Sequence, residues 1–188
     1  MGPEGMDQKR QEFEEAALVH MNSIYNGALR LTRNKTEAED LFQETFLRAY
    51  RFFHQFQPGT NCRAWLFAIL HSLFVNRIRQ SSRPVVDFDE ERVYREAGVG
   101  SVVPGDPEID LFHRLAGEDI QRAIEALPPK LRVAVVLADL EGCSYREIAE
   151  ICRCPIGTVM SRLYRGRQTL RGALKEYSTG GGNSQEDQ

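Results

Sequence analysis

In the stretch IGTVMSRLYRGRQTLR, Thr158, Ser161, Tyr164, Arg165 and Gln168 recur at the spacing that places side chains along one side of a helix. An arginine able to make a bidentate contact, small hydroxyls, an amide and a ring with a polar tip are the groups that read base edges in a DNA major groove. The opposite side collects Ile156, Val159, Leu163, Gly166 and Leu170, an apolar stripe that would seat this helix on a core. Arg162, Arg167, Arg171 and Lys175 fall on the flanks, where phosphates would pass. Between Ser144 and Lys175 seven bases face two acids, a local charge of +5 in a chain whose net charge is −3. An acidic protein with one concentrated basic face is suited to docking on a polyanion in one orientation.

Such a helix has to be held at an angle to a second one, and the preceding residues supply it. Ser144 followed by Glu147 is a capping box, and Ile148, Ala149 and Ile151 give the helix it starts an apolar face, so a helix is expected over Tyr145–Cys152. Arg153, Cys154 and Pro155 break it, since proline lacks an amide proton and drives its predecessor out of helical geometry. The next helix starts at Ile156, which makes residues 145–171 a helix-turn-helix. Upstream, a helix over Leu111–Leu127 should stop at Pro128 and Pro129, and another over Lys130–Leu140 should be closed by Gly142.

A different set of residues occupies the front of the chain. Phe13, Ala17, Met21, Ile24, Ala28 and Leu31 recur at helical period, predicting one helix over Gln11–Arg33. Thr36 and Glu39 read as a second capping box opening a helix to about Phe53, which buries Leu41, Phe42, Thr45, Phe46, Ala49, Tyr50 and Phe53. Its outer face carries Asp40, Gln43 and Glu44 at i, i+3 and i+4, with Leu47 one turn on: a compact acidic patch fit for a partner helix. Pro58 and Gly59 end it, and Thr60, Asn61, Cys62 and Arg63 form a polar loop. The helix Ala64–Gln80 is apolar nearly all round and so central, turning basic at Asn76, Arg77 and Arg79. Phe52, Phe53, Phe56, Trp65 and Phe67 lie beside the loop, and aromatics next to a basic helix end suit unstacked single-stranded bases.

Residues 84–110 lose all periodicity, are punctuated by Pro and Gly, and carry more acids than bases, the pattern of a flexible acidic linker. The tail 178–188 is glycine-rich and polar, and is expected to be disordered. The expectation is an all-α protein of two small helical domains, 11–83 and 111–175. No window approaches the roughly 20 apolar residues of a membrane span, and the N-terminus has no apolar signal core, so a cytoplasmic location without membrane insertion is expected. Cys62, Cys143, Cys152 and Cys154 have no zinc spacing and read as free thiols, with oxidation of the Cys152/Cys154 pair as the other reading. No nucleophile, base and acid cluster, phosphate loop or metal motif is present, which argues against an enzyme and against any cofactor.

The chain resembles the extracytoplasmic-function class of bacterial sigma factors, the initiation subunits of RNA polymerase, from about Phe13 to Leu174. AEDLFQETFLRAYRFF is similar to the polymerase-docking helix of sigma region two, GTNCRAWLFAILHSLFVNRIR to its promoter-melting loop and the helix after it, and LPPKLRVAVVLADLEGCSYREIAEICRCPIGTVMSRLYRGRQTLR to region four. Within the class, GTN-x-x-AWL and PIGTVMSRL are most similar to members that answer thiol-oxidative stress. The resemblance implies that Asp40, Gln43, Glu44 and Leu47 dock on the clamp coiled coil of core RNA polymerase, while region four meets the flap. It implies that Gly59, Thr60, Asn61, Cys62 and Arg63, with Trp65, Asn76 and Arg79, capture and melt the minus-10 element as single strand. Ser161, Tyr164 and Arg165 would read the minus-35 duplex beside Met160, with Thr158, Arg162 and Arg167 on phosphates. Some relatives carry arginine at the Met160 position, and many carry an apolar or hydroxyl residue at Cys62. An anti-sigma factor covering both domains is a further implied partner. A stand-alone helix-turn-helix repressor is the alternative, but it would dimerise on paired half-sites and no heptad seam is present.

Overall fold

The computed structural model describes residues 3–81 and 117–180 of the chain; the acidic linker 84–110 and the tail beyond residue 180 lie outside them. Among these residues every regular element is helical. Helix α1 runs Pro3–Ala17, and after a 3₁₀ turn at Leu18–His20, α2 runs Met21–Thr32. The single helix expected over Gln11–Arg33 is therefore two. The turn re-phases the stripe so that Phe13, Ala17, Ile24, Ala28 and Leu31 all face the core, while Met21, expected inside, is 40% exposed with Leu18 and Val19.

Arg33 closes α2 in the left-handed conformation, at φ +63°. Asn34 is extended, and its carboxamide oxygen accepts from the Glu37 amide at 3.1 Å to cap α3, Lys35–Arg51. That corrects the expected Thr36/Glu39 box: Thr36 already lies in the first turn, because only the left-handed Arg33 and the extended Asn34 separate the two helices. Thr45, the one polar residue expected inside α3, is buried with its hydroxyl donating to the Leu41 carbonyl at 2.7 Å.

Helix α4, Cys62–Ser81, runs through the middle of this bundle and buries Leu66, Phe67, Leu70, Leu73 and Phe74. It starts two residues earlier than expected. Asn61 caps it, accepting from the Ala64 amide at 3.0 Å, so Cys62 and Arg63 belong to the helix rather than to the loop.

In the second bundle, α5 is described over Gly117–Ala126, and α6 runs Pro129–Val135 before widening into a π turn at Val136–Leu140. The Glu141 amide reaches the Val136 carbonyl at 3.0 Å, and Gly142, at φ +66°, turns the chain so that the Cys143 amide bonds the Leu137 carbonyl at 2.8 Å. Helix α7, Tyr145–Cys152, carries the full capping box: Glu147 N to Ser144 Oγ at 3.3 Å, and Ser144 N to Glu147 Oε2 at 2.8 Å. Helix α8 runs Ile156–Gly180, taking in Ser178, Thr179 and Gly180, which were expected in a disordered tail. Gly166 lets α8 approach α6 closely, since a Cβ there would stand 2.6 Å from Val135 Cγ2. The two bundles also pack on each other: α4 lies along α7, and α2 meets α5, α6 and the π turn.

Candidate nucleic-acid and polymerase interface

Three surfaces carry the residues singled out above. On α8, Val159, Leu163, Gly166 and Leu170 are buried as the stripe requires. Ile156, expected with them, is 50% exposed, because it sits on the first turn, outside the reach of the core. Thr158, Met160, Ser161 and Arg165 are partly exposed and Tyr164 is 53% exposed, so the outward set shares one accessible face. The turn before it is held open by Arg153 at φ +50° and by the Cys154 amide bonding the Ala149 carbonyl at 3.0 Å.

The flanking arginines divide. Arg162 leans back over the turn, Nη1 on Cys154 Sγ at 3.8 Å, and its buried Nε has no hydrogen-bond partner. Arg167 is turned inward, away from the flank that the helical wheel assigns it. Its Nη2 and Nε grip Asp139 at 2.6 and 3.2 Å, its Nη1 lies 3.4 Å from the Tyr145 hydroxyl, and Asp139's hydrogen bond pushes the guanidinium's pKa further up. The side chain of Lys175 lies outside the described set.

The loop 57–61 is the second surface. Gly59 takes φ +85°, and Thr60 ties back to the Gln57 carbonyl at 2.7 Å. Beside it opens a groove of about 810 Å³ lined by Lys9, Glu12, Phe53, Phe56, Pro58 and Gly59. Phe56 packs on Phe53 at 5.6 Å and on Trp65 at 5.2 Å, so the groove wall is a ring stack continuous with the core. Asn76 and Arg79 are exposed at the far end of α4. Cys62, at the start of α4, is 8% exposed and packs inward, where a small apolar thiol fits. Arg63 and Asn61 are engaged by residues of the second bundle, Glu141 and Glu147 respectively.

The third surface is the outer face of α3. Asp40 and Gln43 are exposed and Leu47 is 72% exposed, while Glu44 is shared with Arg48 at 3.0 Å and Arg77 at 3.5 Å. Glu141, Arg30, Arg132, Asp139 and His71 were absent from the sequence reading. His71, on α4, sits against the Ile151 backbone of α7; burial first, then Arg162 and Arg153, hold its pKa down at about 4, so it is neutral at neutral pH. Burial likewise pushes Cys143 up to about 11 and Cys152 to about 12, which disfavours the thiolate of both.

The two bundles each match a known family. The sigma-70 region 2 profile matches residues 18–84 and the sigma-70 region 4 profile residues 117–170. The ECF RNA polymerase sigma factor EcfG of Rhodopseudomonas palustris is 38% identical over 84% of this chain and 82% of its own, and SigW of Bacillus subtilis is 33% identical over 87% and 89%. The chain belongs to the ECF sigma factors of RNA polymerase. It is also 40% identical over 89% of its length to SigE of Mycolicibacterium smegmatis, of which it spans 63%. The fold of this sigma factor matches that of RpoE from Bartonella quintana, solved with the anti-sigma factor NepR, at TM-score 0.68, 30% identity, and coverage of 88% of this chain and 98% of that one. CnrH, solved with the cytosolic domain of CnrY, shares the fold at TM-score 0.61 and 20% identity, over 88% of this chain and 89% of CnrH. Among the described residues no helix is long and apolar enough to cross a membrane.

Proposed function

We propose that this sigma factor binds core RNA polymerase in the cytoplasm and directs it to promoters, reading the minus-35 duplex with α8 and opening the minus-10 element at the 57–61 loop. What supports the reading is one chain carrying, in family order, a ring-lined groove at the start of α4 and a helix-turn-helix with an accessible polar face. Ser161, Tyr164 and Arg165 read bases and Thr158 meets a phosphate, with Met160 contributing an apolar contact where an arginine would donate. The groove between Phe53, Phe56 and Gly59 takes an extruded base, whose stacking on the rings offsets the few kcal/mol lost on unstacking it. Trp65, Asn76 and Arg79 line the path of the strand. Asp40, Gln43 and Leu47 meet the clamp coiled coil. By analogy with the NepR complex of the Bartonella relative, an anti-sigma factor is the natural antagonist.

Run-off transcription with core polymerase and a promoter library tests this directly: initiation at one defined pair of elements is expected, and tight promoter binding without polymerase would favour a repressor instead. Arg165→Ala should weaken minus-35 recognition by about 1 to 3 kcal/mol, as for one lost bidentate base contact. Equal activity on all minus-35 variants before and after the change would contradict it. Asp40→Lys should lower affinity for core polymerase about tenfold or more, since like charge at a docking face costs several kcal/mol; an unchanged dissociation constant removes α3 from the docking surface.

A further inference from the structure

The groups at the start of α4 that would meet the melted strand are held by the other half of the chain. Glu141, at the end of the π turn, is only 9% exposed. Its carboxylate accepts from Ser23 Oγ at 2.6 Å and Arg30 Nη1 at 2.6 Å on α2, and from Arg63 Nη2 at 3.2 Å on α4. Arg63 donates as well to the Glu141 carbonyl, and its Nε reaches Ser23 at 3.1 Å. Five residues on from Gly142 the Asn61 carboxamide donates to Glu147, whose pKa is lowered by its bonds to Ser144 and, less strongly, by Asn61. A carboxylate this buried is tolerated only when fully paired, so its three partners on the first bundle select one arrangement of the two halves. The rest of the seam agrees with it: Arg132 donates to the Leu31 carbonyl at 2.8 Å and neutral His71 packs at Ile151.

We infer that the free sigma factor is held closed by a latch centred on Glu141, with Ser23, Arg30 and Arg63 as its seat, and that the closed form withholds Asn61 and Arg63 from promoter DNA. The withholding rests on the minus-10 reading above. The Arg63 and Asn61 donors bonded to Glu141 and Glu147 face the second bundle rather than a promoter strand, so polymerase and DNA draw the chain from the closed to the open population. Neither half needs to refold for this, because the bonds that Glu141 accepts from Ser23, Arg30 and Arg63 all run between bundles.

Small-angle scattering of the full chain tests the latch without polymerase. The wild type should give a radius of gyration near the roughly 16 Å of a compact chain of this length, and Glu141→Gln should move it to about 20 Å or more as the halves separate. Arg30→Ala, half-buried on α2 and outside both DNA surfaces, should shift it the same way even if Glu141→Gln folds poorly. In run-off transcription at limiting concentration, both variants should reach half-maximal output at a threefold or lower amount of factor. An extended wild type, or two folded variants as compact as the wild type, overturns the latch; open variants with no gain at limiting concentration overturn the withholding. A closed wild type and open variants that never initiate with core polymerase leave the latch standing and refute the proposed function.

Discussion

Replacing Arg132 with methionine is expected to lower the thermal midpoint by about 6 to 12 °C, although the new side chain is apolar and of similar length. Arg132 is 4% exposed and faces no carboxylate among its hydrogen-bond partners. It donates instead to main-chain carbonyls at two helix ends: Leu31 at the end of α2, and Glu125 and Leu127 at the end of α5, at 2.8, 3.1 and 2.8 Å. Those carbonyls are the orphans that every helix leaves in its last turn, and both ends carry partial negative charge, so one guanidinium satisfies and neutralises two termini at once. Each charge-assisted bond contributes about 1.5 to 3 kcal/mol, and losing the donor strands buried acceptors. Against this stands the desolvation of a cation and an Nε that has no partner. The net is about 3 kcal/mol, which at 2 to 4 °C per kcal/mol gives the stated shift. Because Leu31 belongs to the first bundle, part of the loss is loss of docking. Arg132→Lys, which keeps the charge but cannot span both ends, should fall between the two. An unchanged midpoint for the methionine variant would mean that burying the cation costs as much as its bonds return.

Arg132 also shows where sequence reasoning ended. The helix-turn-helix was legible because its signals are local: the Ser144/Glu147 box, Pro155, and a stripe of period 3.6 all lie within a few residues of what they determine. Asn61 was legible in principle, a cap-type residue just before an apolar run, but the neighbouring Gly59 and Thr60 drew the loop two residues too far and made Cys62 and Arg63 seem free. Period also predicts the side on which a residue lies without saying whether another element covers that side. Ile156 is on the predicted side of its helix and is still 50% exposed at the first turn of α8, while Met21 is 40% exposed because the 3₁₀ turn before α2 shifts the stripe. The contacts between bundles leave no local trace at all. Glu141 meets Ser23 across 118 positions, and a lone acid beside a glycine looks like any helix end. Two domains that sequence presents as separate units are thus joined by pairs that only three dimensions bring together.

Arg167 divides the two kinds of evidence most sharply, and a double-mutant cycle with Asp139 should decide its role. A helical wheel puts it on the phosphate flank of the recognition helix. The fold turns it onto Asp139 of the π turn, in a two-pronged pair whose side chains are 18% and 8% exposed. A brace and a clamp predict opposite results. If Arg167 braces α8 against α6 and α7, Asp139→Ala leaves a half-buried cation unpaired and should cost about 3 kcal/mol, and Arg167→Ala a similar amount. The double variant should then be no worse than either single one, giving a coupling energy of about 2 to 3 kcal/mol. Promoter affinity should drop for all three, since the polar face of α8 loses its fixed angle. If Arg167 instead held a phosphate, Asp139→Ala would release it and raise affinity, while Arg167→Ala would reduce the salt dependence of binding by about one ion. The bidentate geometry and the burial of the carboxylate favour the brace. Near-zero coupling, or tighter promoter binding by Asp139→Ala, would return Arg167 to the DNA surface and leave the seating of α8 to Val159, Leu163, Gly166 and Leu170.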